Sequence, residues 1–371
     1  MKRSAKISVF LTGVTGFLGG AVLAKLVDSA IPDEITCLVR GDDQECAEER
    51  VRRSGARFNN WRRLPSHVKV LRGDLLSDEW HTSPALNDLS HVLHLAANTS
   101  FGNSRGIRKT NVEGALSVAS AMRGRSLDRY IHTGTATICG ANPPPVVHED
   151  DYPSANATHL VPYTRSKAEA EQLLAARYSD LPIVVARPSI VVGHTSLGCA
   201  PSGSIFWVLR AIEALRLITW DPLNKIDVIP VDWAASALQH LLFEPLLDHS
   251  RYHISAGPSC SISWRQLAAE YSRLVGGAAQ NRYQVGTLED LTTERIQQVD
   301  HGGHPRHLLQ AMELYYRFCS RQLVFDNSRL LASGMAPPPR FTDYMGVCLE
   351  SSPASIYEQM RMDLDPAAVL V

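Results

Sequence analysis

The chain has 371 residues, 44% hydrophobic and 20% charged, the balance of an ordinary globular protein with ample material for a core. Its 37 basic and 38 acidic residues nearly cancel, which argues against a nucleic-acid or anionic-membrane partner. Seven cysteines, without a CxxC pair or Cys/His ligand spacing, argue against a disulfide framework or zinc site and point to free thiols in a reducing, cytoplasmic compartment. The start, MKRSAKISVFLTG, runs from a short apolar stretch straight into a glycine-rich turn and does not read as a signal peptide. No stretch approaches the roughly 20 apolar residues of a membrane span.

In chain order, Ile7 to Thr12 predicts a buried strand and Leu18 to Ser29 a helix. Glu34 to Arg40 is the next strand, followed by a charged helical run from Asp43 to Ser54 whose Arg50, Arg52 and Arg53 read as a solvated face. Further strands are expected at Val68 to Gly73, His91 to Ala96, Arg129 to Thr133, Ile183 to Arg187 and Lys225 to Val231. Helices fit between them at Arg105 to Met122, Tyr163 to Tyr178 and Gly203 to Leu217. This alternation implies right-handed crossovers and an α/β fold with a doubly wound parallel sheet. Pro143 to Pro145 belong to a surface loop that runs on to about Pro162. From about Gly257 the rhythm changes, with helices expected at Ser263 to Val275 and His307 to Phe318. Residues 1–256 are therefore expected to form a cofactor domain. Residues 257–371 are expected to form a smaller, mostly helical lobe capping the substrate, with 194–224 contributing to it.

Thr12 to Gly19 reads TGVTGFLG, right after the first strand and at the mouth of the first helix. Gly13 permits the tight turn, Gly16 lets backbone N–H groups approach a pyrophosphate, and Gly19 lets the helix pack close to the sheet. Between a strand and a helix this trio marks a Rossmann-type dinucleotide site, with Thr15, Phe17 and Leu18 in the same turn. The second strand ends in Arg40, where an NAD site usually carries an acid; arginine suits a 2′-phosphate, so NADP(H) is the expected cofactor. Asp74 and Leu75 follow the third strand, and Ala96 and Ala97 end the fourth, where small residues leave room for the dinucleotide.

Tyr163 to Lys167 reads YTRSK at the head of a helical run, so phenol and ammonium share a helix face. A neighbouring cation is expected to lower the tyrosine pKa, and the phenol can give a proton to a carbonyl oxygen as hydride reaches the carbon. Thr133, Thr135 and Thr137 line the end of the strand before it, and any one could hold the substrate oxygen. Asn111, in KTNVEGA, is a polar residue on a core-facing helix. His301, His304 and His307 lack carboxylate or cysteine companions and read as a surface loop, not a metal site. Cys139 and Cys199 read as packing residues.

Taken together, TGVTGFLG, GDL at Gly73 to Leu75, HLAA at His94 to Ala97, NVEG at Asn111 to Gly114, YTRSK, and RPSIVVG at Arg187 to Gly193 resemble the extended short-chain dehydrogenase/reductases over about 260 residues. The CLVR ending of the second strand, NKIDVIPVDWAASAL and the tail VFDNSRLLASG are similar to the thioester reductase and fatty acyl reductase branch. The resemblance implies Tyr163 as acid/base, Lys167 binding the nicotinamide ribose and tuning it, and Asn111 in the proton relay. It also implies Thr135 as the active-site hydroxyl, and Pro188, Ser189 and Val191 beside the nicotinamide. Thr133-Gly134-Thr135 departs from the adjacent Ser/Thr pattern of the family and leaves Thr133 and Thr135 both open as the substrate-oxygen ligand.

The reaction so implied is NADPH-dependent reduction of an acyl thioester, on CoA or a carrier protein's phosphopantetheine arm, to an aldehyde, with further reduction to alcohol open. Trp207, Trp220 and Trp233 are candidates for an acyl channel, with core packing as the alternative. A ketone or alcohol dehydrogenase, a nucleotide-sugar enzyme and a non-catalytic NADP-binding regulator are the competing readings.

Overall fold

The computed structural model describes residues 6–100, 106–153, 157–202, 204–276, 283–298, 303–353 and 355–364. Within them, the alternating strands and helices close into one seven-stranded sheet. β1 (Ser8–Thr12) is flanked on one side by β2 (Glu34–Val39) and β3 (Val68–Arg72). On the other side lie β4 (His91–His94), β5 (Arg129–Thr133), β6 (Ile183–Pro188) and the outermost strand, Arg251–Ile254. Every pairing in this sheet is parallel. Parallel crossovers put helices on both faces, so β1 and β4 are buried at every residue. α1 (Phe17–Ser29), α2 (Gln44–Ala56) and a later helix, Val231–Phe243, cover one face; α3 (Gly114–Met122) and α4 (Pro162–Arg177) cover the other. Strand order reverses between β1 and β4, and at such a switch point an open α/β sheet leaves a crevice for ligands.

The expected strand at Lys225 to Val231 is corrected. β7 (Ile190–Val191) pairs only with β10 (Val228–Ile229), while β8 (Leu217–Ile218) and β9 (Lys225–Ile226) pair elsewhere, with Gln284–Val285 and Ile262–Ser263. Asp227 breaks the run. Its wholly buried carboxylate accepts hydrogen bonds from the backbone N–H of Ala256 (2.6 Å) and Gly257 (3.2 Å), and its backbone carbonyl accepts from the Ile190 N–H at 3.3 Å, so the run splits here into two short ladders with different partners. The seventh strand of the sheet is instead Arg251–Ile254, numbered β11.

A third core joins α5 (Phe206–Leu215) to helices that follow α6 (Val231–Phe243) and the short α7 (Gly257–Cys260). These are α8 (Trp264–Leu274), the one-turn α9 (Thr293–Gln297) and α10 (Pro305–Cys319). The core is completed by α12 (Phe341–Glu350) and α13 (Ile356–Leu364), which follow the five-residue α11 (Ser328–Ala332). It thus unites residues 192–228 with residues 262–360. The segment from Leu323 to Ala336 returns to the sheet: Phe325 bridges Val147, Leu330 enters the core under α6, and the Trp233 indole donates to the Ala336 carbonyl at 3.0 Å.

Candidate active site

The glycine turn is built by close backbone approach. Gly13 has φ +76°, and a Cβ there would lie 2.5 Å from the Ala96 nitrogen, so only glycine fits between the ends of β1 and β4. A Cβ at Gly19 would sit 2.1 Å from the Gly13 carbonyl oxygen. Gly16, by contrast, is exposed. It caps α1 with no side-chain hydrogen bond and no acid in the first turn, leaving the positive helix end open to an anion. Thr12 Oγ1 accepts from the Ala96 N–H at 3.3 Å and bonds His94 Nδ1 at 2.7 Å, which ties β1 to β4 beneath the turn. Ala96, Ala97, Asp74 and Leu75 are all half-buried at the same edge of the sheet, as are Thr15, Phe17 and Leu18; the Phe17 ring lies 6.1 Å from Phe58. Asp74 closes its own turn by accepting from the Leu76 N–H (2.9 Å).

Arg40 is exposed at the end of β2, and the Arg50 guanidinium from α2 donates to its backbone carbonyl at 2.6 Å, which brings a second cation to this strand end. Helical spacing alone does not reveal that Arg50 reaches back from this face to the end of β2. The neighbouring acid Asp43 caps α2 by accepting from the Cys46 N–H. A third cation, Arg57, donates to the Thr15 and Gly16 carbonyls at 3.1 and 2.9 Å.

Across the crevice, α4 carries Tyr163 and Lys167 against the end of β5. Lys167 is buried and donates to the Thr133 carbonyl at 2.6 Å; burial brings its pKa down to about 8. Tyr163 is half-buried and hydrogen-bonded to Thr135. The expected lowering of its pKa is overturned. Burial raises it to about 12, the Thr135 bond opposes this only in part, and the Lys167 ammonium is occupied by the Thr133 carbonyl. Tyr163 is therefore a phenol, a proton donor, throughout the neutral range. The two threonines separate clearly. Thr133 Oγ1 is buried with no partner among the described residues, whereas Thr135 Oγ1 lies 2.9 Å from Thr137 Oγ1 and donates to the Pro188 carbonyl at 3.5 Å.

Asn111 sits in a π-helical turn, Lys109–Glu113, just before α3. The extra residue of such a turn re-aims a side chain, and here the amide spans three elements. Its oxygen accepts from the Asn98 N–H at 2.7 Å, and its nitrogen donates to the Asn98 carbonyl (3.0 Å) and to Ser166 Oγ (2.9 Å) on α4. The helical spacing revealed neither the π turn nor the Ser166 contact.

Beneath this edge Glu171 of α4 accepts from Arg187 Nη2 at 2.7 Å and from the Tyr152 hydroxyl at 2.7 Å, with the Arg187 guanidinium 5.0 Å above the Tyr152 ring. A Cβ at Gly134 would lie 2.2 Å from Glu171 Oε1. The glycine in Thr133-Gly134-Thr135 is thus the space the carboxylate occupies.

A cavity of about 140 Å3 opens at Tyr163, with Thr135, Thr137 and Ser189 at its polar end. Its apolar wall comes from Ile190, Ile205 and Ile226 and from Trp264, Phe318 and Leu323 farther along the chain. The expected tryptophans do not line it. Trp207 is buried and donates to Asp363 at 2.9 Å, and Trp220 packs on Trp264 with centroids 4.9 Å apart. Trp233 faces a separate open groove between α1 and α6. Pro188 and Ser189 are buried and Val191 half-buried on the strand leading to the cavity. Cys139 is held as a thiol, pushed up to about 11 by burial, and Cys199 lies in the third core. All seven cysteines are unpaired. His304 caps α10 and His307 bonds the Tyr357 hydroxyl at 3.0 Å; His301 lies outside the described residues. Among the described residues no group of three metal-ligating side chains occurs, and no helix is long and apolar enough to cross a membrane.

A parallel sheet with a glycine turn at its switch point and a Tyr-x-x-x-Lys helix across the crevice defines an extended short-chain dehydrogenase/reductase. The chain belongs to the male sterility protein family of NAD-binding domains, whose model matches residues 11–238. The cofactor is a nicotinamide dinucleotide, and the open, uncapped start of α1 and the glycine approaches fit its pyrophosphate. Among curated proteins it is 28% identical over 276 residues to the non-canonical nonribosomal peptide synthetase hkm10 of Aspergillus hancockii, covering 68% of this chain and 26% of that one. It is 30% identical over 264 residues to the glycine betaine reductase ATRR of Emericella nidulans, covering 67% of this chain and 21% of that one. The chain thus spans about a quarter of the length of these relatives. Among solved structures, the terminal R domain of the myxalamid PKS-NRPS pathway superposes with a TM-score of 0.76 at 20% identity, covering 94% of this chain and 91% of that one. A thiolation-reductase di-domain from an archaeal nonribosomal peptide synthetase gives 0.70 at 17% identity, covering 93% and 75%.

Proposed function

We propose that this protein is an NADPH-dependent reductase that converts an acyl thioester, carried on CoA or on a carrier protein, to an aldehyde. The observation that carries this reading is the cavity at Tyr163: a polar end of hydroxyls around a phenol that is an acid, continuing into an apolar pocket suited to an acyl group. Relatives named as a reductase and as nonribosomal peptide synthetases support it. Residues 1–256 would form the cofactor domain, and 257–371 with 194–224 the substrate lobe.

When bound, the reduced nicotinamide supplies a hydride to the thioester carbon. Thr135 holds the thioester oxygen at the polar end of the cavity, and Tyr163 passes its proton to that oxygen as charge develops. The resulting hemithioacetal expels the thiol and leaves the aldehyde. Lys167 holds the ribose and keeps positive charge near the phenol, and Asn111, through Ser166 and Asn98, orders the path that returns a proton to Tyr163. Gly13, Gly16, Gly19, Asp74, Ala96, Ala97, Pro188, Ser189 and Val191 border the dinucleotide. Arg40 and Arg50 take a 2′-phosphate, supported by the engagement of the nearby acid Asp43 in capping α2.

The test is NADPH oxidation followed with free-thiol release across acyl-CoA and acyl-pantetheine substrates. The two should match in stoichiometry, and Tyr163→Phe should lower kcat by about 10²- to 10⁴-fold. Oxidation with ketones and never with thioesters would replace this reading by a ketone reductase. Arg40→Ala should weaken NADPH binding on the order of 10- to 100-fold while leaving NADH binding nearly unchanged. An equal loss for both cofactors would remove the 2′-phosphate assignment. A nucleotide-sugar substrate is disfavoured because no arginine or lysine lines the cavity to meet a diphosphate.

A further inference from the structure

The cavity is specific in size as well as polarity. Beyond its hydroxyl end the wall is aliphatic and aromatic, with the Cys319 thiol among these side chains, and none of the glycine-turn residues belongs to it. Its far side is held firmly. Trp264 is 1% exposed and wedged edge-on against Trp220, while the Tyr315 hydroxyl is fastened to Asp363 at 2.7 Å. Phe318 and Leu323, 7% and 3% exposed, close the rest. A cavity of roughly 150 Å3 lined by aliphatic and aromatic side chains is filled by one benzene molecule; this one, open on one side, measures about 140 Å3.

We infer that the acyl group reduced at this site is a compact, uncharged hydrocarbon of roughly six carbons, a single ring or a short chain. The inference deepens the thioester-reductase reading and rests on it for the chemistry. Each methylene added up to that size gains apolar burial worth roughly fourfold in kcat/KM. Beyond it a chain that enters at Tyr163 meets the far wall of Trp264, Phe318 and Leu323, and a close-packed wall does not yield to a longer chain. A carboxylate on the acyl tail would lose its water with no lysine, arginine or histidine in the lining to pair with it.

The experiment measures kcat/KM for acetyl, butyryl, hexanoyl, benzoyl, dodecanoyl and succinyl thioesters with NADPH, scoring thiol release. Hexanoyl or benzoyl should be at the maximum, dodecanoyl at least about tenfold lower, and succinyl on the order of 100-fold below butyryl. Dodecanoyl at or above hexanoyl, or succinyl equal to butyryl, overturns the inference. Two variants move the limit in opposite directions. Phe318→Ala should raise the dodecanoyl-to-hexanoyl ratio, and Ile205→Trp should lower the hexanoyl-to-acetyl ratio; unchanged ratios in a folded variant overturn it. Equilibrium binding of hexanal, benzaldehyde and dodecanal to the oxidised-cofactor complex separates the two claims. If no thioester releases thiol but hexanal and benzaldehyde bind at least tenfold tighter than dodecanal, the thioester reading falls and the size limit stands. Tighter binding of dodecanal, or binding of none of the three, overturns the size limit itself.

Discussion

At the scale of single residues, burial decides the proton chemistry. Spacing alone places an ammonium four residues after a phenol, and Coulomb attraction then favours phenolate. The structure reverses the sign, because desolvation of Tyr163 outweighs its hydrogen bond to Thr135 and Lys167 is tied to the Thr133 carbonyl. For the proposed reduction this is the useful direction, since that step needs a donor that still holds its proton. Lys167 is the group that titrates in the working range. Its ammonium is present below about 8 and lost above it. The pH profile of kcat/KM for thioester reduction should therefore fall above about pH 8, with no further limb from Tyr163 until about 12. A profile flat to pH 10 would show that the ammonium is held by something other than these contacts.

At the scale of elements, the sheet and α4 are joined by a buried ion pair that needs a glycine. Glu171 and Arg187 are 3% and 1% exposed, and the carboxylate fills the place a side chain at residue 134 would take. The carboxylate cannot swing aside cheaply, because Arg187 and the Tyr152 hydroxyl both hold it. Gly134→Ala is expected to cost about 2–4 kcal/mol in urea unfolding by breaking a buried charge pair. It should also lower kcat, since α4 carries Tyr163 and Lys167. An unchanged unfolding midpoint would show that Glu171 has another rotamer available. The π turn at Asn111 acts on the same helix from the other side, through Ser166. Two neighbouring elements thus hold α4, one at Ser166 and one at Glu171.

For the whole molecule, the notable feature is a set of histidines sealed in the sheet. His94 and His253 are 1% and 0% exposed, and burial holds each down to about 3, against an ordinary 6.5. His132, stacked on His94 at 5.6 Å, shifts in the same direction. Between pH 6.5 and 3 the unfolded chain binds these protons and the folded one does not. Their contribution to stability is thus complete above 6.5 and is lost as the pH falls, at about 1.4 kcal/mol per unit for each histidine. Asp227, raised to about 6 by burial, opposes this, but returns only about 1 kcal/mol between pH 7 and 5. Unfolding free energy should therefore drop by roughly 3 kcal/mol or more from pH 7 to pH 5. His132→Leu should flatten that slope, because neither ring nitrogen has a partner among the described residues to lose. A slope unaffected by this substitution would show that His132 protonates in the folded state.

Local pattern and backbone chemistry are written in short stretches of the chain. Apolar runs at strand length, helices between them, and a glycine trio at a strand–helix junction suffice for a parallel sheet with a dinucleotide turn, because each depends on neighbours a few residues apart. Tyr163, Lys167, Asn111 and Thr135 stand out as candidates for the same reason, as members of short motifs. Only the tertiary structure decided how these residues are solvated and what they face. Asp227 sits where a plausible strand splits in two, and four backbone and side-chain donors from residues 256–325 converge on its carboxylate. Trp264, Phe318 and Leu323 reach Tyr163 across a hundred residues or more of chain, whereas the nearer Trp207 and Trp220 turn into the core. Desolvation and cavity shape are sums over contacts made by distant segments, and no window of sequence contains those sums.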